Sequence, residues 1–147
     1  MVHFERDNGR LTRKGHPPNG SRTYLRLHRA LLFIFRFVQE LVSVGSHESG
    51  HGNTSEASNH PSLGEMTQTV YTETLSQHHA WLIRKGVSMA VHTLPSRADF
   101  LTNLCREAGI EDRETLMNLL RESLPVIQDT YAISQRIYAG NDLLNLE

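Results

Sequence analysis

The chain has 147 residues, a formal net charge of −1 at pH 7, 21% charged and 38% hydrophobic residues. This composition is typical of one soluble globular domain with a sizeable core, and it excludes a disordered or fibrous chain. The single cysteine, Cys105, excludes a disulfide framework and a cysteine metal cluster, and it fits a reducing compartment. The opening MVHFERDNGR lacks the apolar core of a signal peptide, and Arg36 interrupts the short apolar run Ala30–Val38. We therefore expect a cytoplasmic protein.

Charge is distributed unevenly along the chain. Residues 1–36 hold eight lysines and arginines against Glu5 and Asp7, and the remainder is acidic. A basic half can bind nucleic acid, an anionic membrane or an anionic ligand. Nucleic acid is disfavoured because Arg13 and Lys14 lack interleaved aromatic residues.

The first 20 residues form the first predicted segment. They are polar and contain Gly15, Pro17 and Pro18, which predicts an irregular lead-in. Ser21 is a plausible N-cap for a long helix over Ser21–Val42. The predicted domain then occupies residues 21–147.

One face of this long helix runs from cationic to aromatic. At 100° per residue, the side chains of Arg22, Arg26 and Arg29 lie within about 60° of one another around the helix axis. Phe33 and Phe37 continue the same stripe. Such a face suits a ligand with an anionic head and an apolar body. The alternative is a core helix with solvated arginines at one end.

Residues 43–62 are rich in Ser, Gly, His and Asn and are predicted to form a flexible loop. The spacing of His47, His51 and His60 fits no zinc motif, so we expect no metal site there.

Four further helices are predicted after the loop. Ser62 and Glu65 form a capping box that opens the first of them, which ends near Gln77. The next covers 80–92, and its apolar face comprises Ile83, Val87, Ala90, Val91 and Leu94. The third runs from the cap Ser96 to Gly109, and the fourth covers about Asp112–Ala139. The leucines of the tail 142–147 should pack back on the body. With the long first helix, the chain is all-α with about five helices.

The polar side of the helix at 80–92 groups Trp81, Arg84 and Lys85. An exposed tryptophan beside two cations is typical of a contact with lipid headgroups, whereas a half-buried packing residue is the alternative. His79 alone indicates only a surface or capping residue. The chain has no nucleotide-binding, metalloprotease or hydrolase motif, so we expect no enzyme and no cofactor.

Four separated segments resemble the glycolipid transfer protein family. They are RTYLRLHRAL at 22–31, His-Ala-Trp at 79–81, TLPSRADFL at 93–101 and ESLPVIQDTYAISQRIYAGNDLLNL at 122–146. The resemblance implies a two-layer α-helical sandwich that takes a sphingolipid from a membrane and keeps its chains between the layers. It is strongest to the branch that binds ceramide 1-phosphate, because Arg26 stands where the glycolipid branch has a tryptophan that stacks on a sugar.

The resemblance also implies residue roles. Arg22 and Arg26 would bind the phosphate, and His79 would bind the ceramide amide. Trp81, with Arg84 and Lys85, would dock on the membrane. The apolar pocket would be lined by Phe33, Phe37, Val87 and Val91.

The chain departs from the family pattern in two ways. His78 stands where the family usually has tyrosine, and the family's Asp-x3-Asn-x3-Lys motif is missing, which suggests that the N-terminal helices are absent. We therefore expect a marginally folded domain with an exposed apolar patch. An alternative function follows: a truncated, transfer-incompetent module that interacts with membranes or proteins.

Overall fold

The computed structural model describes residues 2–8, 20–45 and 61–146. All regular elements in these ranges are helical, as predicted. They are α1 (Val2–Asp7), α2 (Gly20–Gly45), α3 (Leu63–Thr74), a 3-10 turn (Ser76–His78), α4 (Trp81–Ala90), a second 3-10 turn (Val91–Thr93), α5 (Arg97–Ala108) and α6 (Arg113–Ala139).

Helix α2 is the centre of the fold and lies against both α6 and α3. One core cluster joins Leu41 near the end of α2 to Leu63, Leu101 and Leu116. A second cluster joins Leu25 near the start of α2 to Tyr138 at the end of α6 and Leu143 of the tail. Because the start of one helix meets the end of the other, α2 and α6 are antiparallel.

The start of α2 differs from the prediction. The helix begins at Gly20, and the backbone N–H groups of Gly20 and Ser21 donate to the Glu5 carboxylate at 2.8 and 2.9 Å. Ser21 is therefore not the cap, since a carboxylate from α1 satisfies these N–H groups instead. Burial would raise the pKa of Glu5, but the hydrogen bonds from Ser21 and Gly20 hold it below its usual value.

Two predicted boundaries also need correction. The lead-in 1–20 was predicted to be irregular, but Val2–Asp7 is helical; residues 9–19 lie outside the described ranges. The predicted loop 43–62 begins too early, because α2 continues to Gly45. The loop histidines His47, His51 and His60 lie outside the described residues.

The predicted caps of α3 and α5 are confirmed. In α3 the Glu65 N–H donates to Ser62 Oγ at 3.2 Å, and the Ser62 N–H donates to the Glu65 carboxylate at 2.8 Å. Ser96 and Asp112 cap α5 and α6, and Gly109 ends α5 with φ of 66°. These signals lie within a few residues of one another, which is why the sequence reveals them.

The predicted core face of α4 is wrong for most of its residues. Ile83, Ala90 and Leu94 are exposed, Val87 is half-buried, and Val91 alone of the five is buried. None of the residues Trp81–Ala90 is buried. The amphipathic pattern is real, but no described helix covers the apolar side of α4.

The tail returns to the body as predicted. Leu143 is buried against Leu25 and Tyr138, and the Leu143 N–H donates to the Tyr138 carbonyl at 2.9 Å. The Arg29 guanidinium donates to the Leu144 carbonyl at 2.9 Å. The tail therefore forms one side of the site that the arginines of α2 define.

Candidate functional site

The three arginines of α2 line one cleft, which we call the arginine cleft. It has a volume of about 540 Å³ and is lined by Arg22, Leu25, Arg26, Arg29, Gln77, His78, Asn145 and Leu146. Arg22 is half-buried and Arg26 is exposed. Guanidinium groups are permanently charged and present planar donor pairs that match phosphate oxygens. The cleft is therefore suited to an anionic group.

Arg29 lines the cleft and also has a structural contact. Its hydrogen bond to the Leu144 carbonyl fixes the tail beside Asn145 and Leu146, which belong to the cleft wall. Arg29 thus builds the cleft and adds positive charge to it. The direct contact of Arg22 and Arg26 with an anion stays a prediction.

His79, the predicted ceramide-amide ligand, does not line the arginine cleft. Its Nδ1 lies 2.8 Å from the hydroxyl of the buried Tyr71. If the tyrosine hydroxyl donates, Nδ1 is the acceptor and Nε2 carries the ring proton. The second nitrogen would then be able to donate to a carbonyl oxygen. The amide-binding role itself stays a prediction.

His78 lines the cleft, although helical periodicity provides no reason to select it over His79. Burial lowers the pKa of its imidazole, and the positive charge of Arg29 lowers it further. The 3-10 turn Ser76–His78 directs Gln77 and His78 to the cleft wall. The sequence could not predict this choice, because it depends on the exact end of α3.

A second cavity of about 270 Å³ shares Leu25, Arg29, Gln77, His78 and Asn145 with the arginine cleft. Its additional lining residues include polar side chains of α2 and α6, of which His28 is buried and Tyr131 and Gln135 are half-buried.

The ring nitrogens of His28 form hydrogen bonds across the helix pair. Its Nδ1 lies 2.6 Å from Ser134 Oγ, and its Nε2 lies 2.7 Å from Gln135 Oε1. The ring also stacks on Tyr131 with centroids 4.4 Å apart. Burial lowers the pKa of His28, although the hydrogen bond to Gln135 opposes that effect. This network fixes α6 against the cleft side of α2.

The predicted membrane-docking residues Trp81, Arg84 and Lys85 are all exposed, and Trp81 retains 63% of its accessible surface. The alternative of a half-buried packing tryptophan is therefore wrong. Leu82 is 73% exposed beside it, so the start of α4 presents two large apolar side chains and two cations. This arrangement is typical of a segment that lies at a membrane interface.

The four predicted pocket residues do not line one described cavity. Phe33 and Phe37 stack with centroids 6.0 Å apart, and Phe37 meets the ring of Phe100 edge-on. Val91 is buried and lines a groove of about 720 Å³ between the start of α3 and the start of α5, whereas Val87 is half-buried on α4. Their role in holding lipid chains stays a prediction.

Within the described ranges, His, Cys, Asp and Glu side chains form no group of three that could hold a metal ion. The same ranges contain no helix long and apolar enough to cross a membrane.

Comparison with known proteins identifies the family. The model of the glycolipid transfer protein (GLTP) family matches residues 1–106. A ceramide-1-phosphate transfer protein of Danio rerio is 40% identical over 149 residues, which cover 99% of this chain and 63% of the relative. A ceramide-1-phosphate transfer protein of Rattus norvegicus is 34% identical over 140 residues, which cover 95% of this chain and 57% of the relative. The chain belongs to the glycolipid transfer protein family.

Solved structures agree with this assignment. The chain superposes with a TM-score of 0.78 and 34% identity on human ceramide-1-phosphate transfer protein in complex with 12:0 ceramide-1-phosphate. All of this chain and 64% of that structure are covered. The predicted fold, the all-helical fold of the glycolipid transfer protein type, is confirmed. The chain spans less than two thirds of the length of the relatives it matches.

Proposed function

We propose that this chain is a non-enzymatic sphingolipid carrier that binds ceramide 1-phosphate and transfers it between membranes. The observation that carries the proposal is the arginine cleft, in which Arg22, Arg26 and Arg29 of one helix face line a single cavity. Family membership and a relative that binds ceramide-1-phosphate support the ligand class. A neutral sugar headgroup would leave these guanidinium charges uncompensated.

The site residues divide into four roles in this proposal. Arg22 and Arg26 bind the phosphate, and His79 binds the ceramide amide from the turn after α3. Trp81, Arg84 and Lys85 dock on the membrane while the lipid enters, and Phe33, Phe37, Val87 and Val91 contact its chains. The protein would act in the cytoplasm and associate with membranes transiently.

Vesicle-to-vesicle transfer of fluorescent ceramide 1-phosphate tests the proposal. Arg22→Ala and Arg26→Ala should each reduce transfer by roughly tenfold to a hundredfold, because a hydrogen bond to a charged group contributes about 1.5–3 kcal/mol. Arg121→Ala is the matched control, since Arg121 is exposed on α6 and contacts Asn118 outside the cleft. Full transfer by both cleft variants would contradict the phosphate assignment.

A second candidate is a transfer-incompetent module that interacts with membranes or proteins. It is favoured by the apolar stripe of α6, where Leu119, Val126, Ile133 and Ile137 recur at helical spacing and all remain exposed. It predicts vesicle binding or self-association without extraction of lipid. Co-sedimentation with vesicles, followed by assay of lipid in the supernatant, separates this function from transfer.

A further inference from the structure

His78 occupies a position that the proposed carrier function does not yet use. It closes the 3-10 turn Ser76–His78 and lines both the arginine cleft and the adjoining inner cavity. Its neighbour His79 lines neither cavity, because its ring contacts Tyr71. The imidazole that shares a cavity with all three arginines is therefore that of His78.

We propose that His78 is a fourth phosphate-binding side chain of the arginine cleft, and that binding of an anion there is accompanied by proton uptake on its imidazole. This inference rests on the proposed function, since it concerns the same headgroup site. In addition to the arginines, His78 would be a residue that determines specificity, because its protonation depends on the charge of the headgroup.

The permanent positive charges around His78 come from the guanidinium groups of α2. The helix α2 contributes Arg22, Arg26 and Arg29 together with the buried imidazole of His28. His79 follows in the chain, and the tail contributes the neutral Asn145. From α6 the titratable group is the Tyr131 hydroxyl, whose pKa is raised by burial. The described residues that line the two cavities include no carboxylate.

This distribution of charge favours neutral imidazole before an anion binds. Burial and the guanidinium charge of Arg29 lower the pKa of His78 below its ordinary value, so the ring is mostly neutral near pH 7. A dianion between the guanidinium groups would reverse the local potential, and a nearby negative charge raises the pKa of an imidazole. Because the bound state then holds more protons, the affinity for the anion should increase as the pH falls.

Protonation of His78 depends on the charge of the bound headgroup, so it distinguishes phosphate from uncharged headgroups. A phosphate would gain an additional charge-assisted N–H···O bond from protonated His78. An uncharged headgroup would provide no such gain, because it does not favour protonation of the ring. His78 would therefore add to the preference for phosphate that the arginines establish.

The test uses sulfate as its first probe, because sulfate remains a dianion while histidine titrates, between about pH 5 and 8. NMR signals of the imidazole C–H groups report the titration of each histidine in the intact chain. Sulfate should raise the pKa of His78, and it should bind roughly threefold to tenfold more tightly near pH 6 than near pH 8. His78→Gln should remove this pH dependence while the arginines continue to bind sulfate.

Two control variants and a second ligand complete the experiment. His92→Gln, at an exposed histidine outside the arginine cleft, should leave the pH dependence intact, and Arg26→Ala should abolish the response of His78. Micellar 2:0 ceramide 1-phosphate, the second arm, distinguishes a lipid headgroup from a free anion. A response of His78 to the lipid alone would support the inference for lipid headgroups only.

The inference is overturned if neither ligand changes the titration of His78, or if Arg26→Ala leaves its response unchanged. It is also overturned if His78→Gln retains the full pH dependence of sulfate binding. If sulfate produces the expected response but the chain transfers no lipid between vesicles, the inference stands and the proposed function fails.

Discussion

The helix pair α2–α6 and the helix α4 show opposite behaviour in one chain. Where the pair meets beside the cleft, Leu25 and Tyr138 are each 1% exposed, and the Tyr138 hydroxyl donates to the Ser21 carbonyl at 2.7 Å. In α4, by contrast, none of the residues is buried. The difference shows that the cleft end of the domain is packed within the described residues, whereas none of the described helices covers α4.

The two regions also differ in the hydrogen bonding and exposure of their polar side chains. The pair orders His28, Ser134 and Gln135 in a buried network across α2 and α6. The start of α4 leaves Trp81, Arg84 and Lys85 exposed. A rigid cleft beside a surface with few packing contacts suits a protein that holds a headgroup firmly and meets a membrane through another element.

The largest expected effect on stability comes from the packed region. Leu25→Ala should lower the free energy of unfolding by about 2–5 kcal/mol, because it opens a cavity in a cluster that cannot relax fully. Leu82→Ala on α4 should change it by less than about 0.5 kcal/mol, since Leu82 is 73% exposed. Urea unfolding followed by circular dichroism measures both. Equal losses in the two variants would contradict the contrast between the regions.

The next effect concerns the contact between α3 and the turn that follows α4. A Cβ added at Gly64 would lie 2.5 Å from the Val91 carbonyl oxygen. Gly64→Ala should therefore destabilise the fold by about 1–3 kcal/mol, although alanine is the better helix former. Gly86→Ala is the control, because a Cβ there meets nothing within 4 Å. A Gly64→Ala protein as stable as the wild type would show that Gly64 does not lie this close to the Val91 carbonyl in solution.

Loss of the Glu5 cap should have a smaller effect. Glu5→Gln should cost about 0.5–2 kcal/mol, the range measured for helix caps. Because the pKa of Glu5 is lower in the folded state, its contribution is present above the unfolded pKa and is lost as the pH falls through the folded pKa. Unfolding midpoints of wild type and variant should converge at acid pH. A constant difference at every pH would assign the effect to packing rather than to the carboxylate.

The smallest effect on stability is expected at Trp81, where membrane binding should change instead. Trp81→Ala should weaken binding to anionic vesicles by roughly tenfold, equivalent to about 60 Å² of apolar surface at ~25 cal/mol per Å². The free energy of unfolding should stay within about 0.5 kcal/mol of wild type. Vesicle flotation of Trp81→Ala beside Leu27→Ala, an exposed apolar change on α2 outside the arginine cleft, provides the measurement. Equal vesicle binding by wild type and Trp81→Ala would contradict the assignment of α4 as the docking element.

The sequence predicted the local features of the fold and missed those formed between distant residues. The capping box Ser62–Glu65 and the left-handed Gly109 depend on neighbours, so their patterns are visible in the chain. The Glu5 cap joins residues 15 and 16 positions apart, and the contact between Ser21 and Tyr138 spans 117 positions. No local pattern specifies such contacts.

The site was predicted to a similar degree. The helical spacing of Arg22, Arg26 and Arg29 placed them on one face, and the structure places them in one cleft. The choice between His78 and His79 depends on where α3 ends and how its last turn tightens, which periodicity cannot resolve. The exposed side of α4 was missed because an amphipathic pattern indicates an apolar face and does not reveal whether anything covers it.

A crystal structure of this chain with short-chain ceramide 1-phosphate tests the central claim most directly. The account predicts the phosphate in the arginine cleft, with oxygens within hydrogen-bonding distance of the Arg22 and Arg26 guanidinium groups. A phosphate bound elsewhere, for example in the groove between the starts of α3 and α5, with the cleft arginines making no contact to it, would contradict the account.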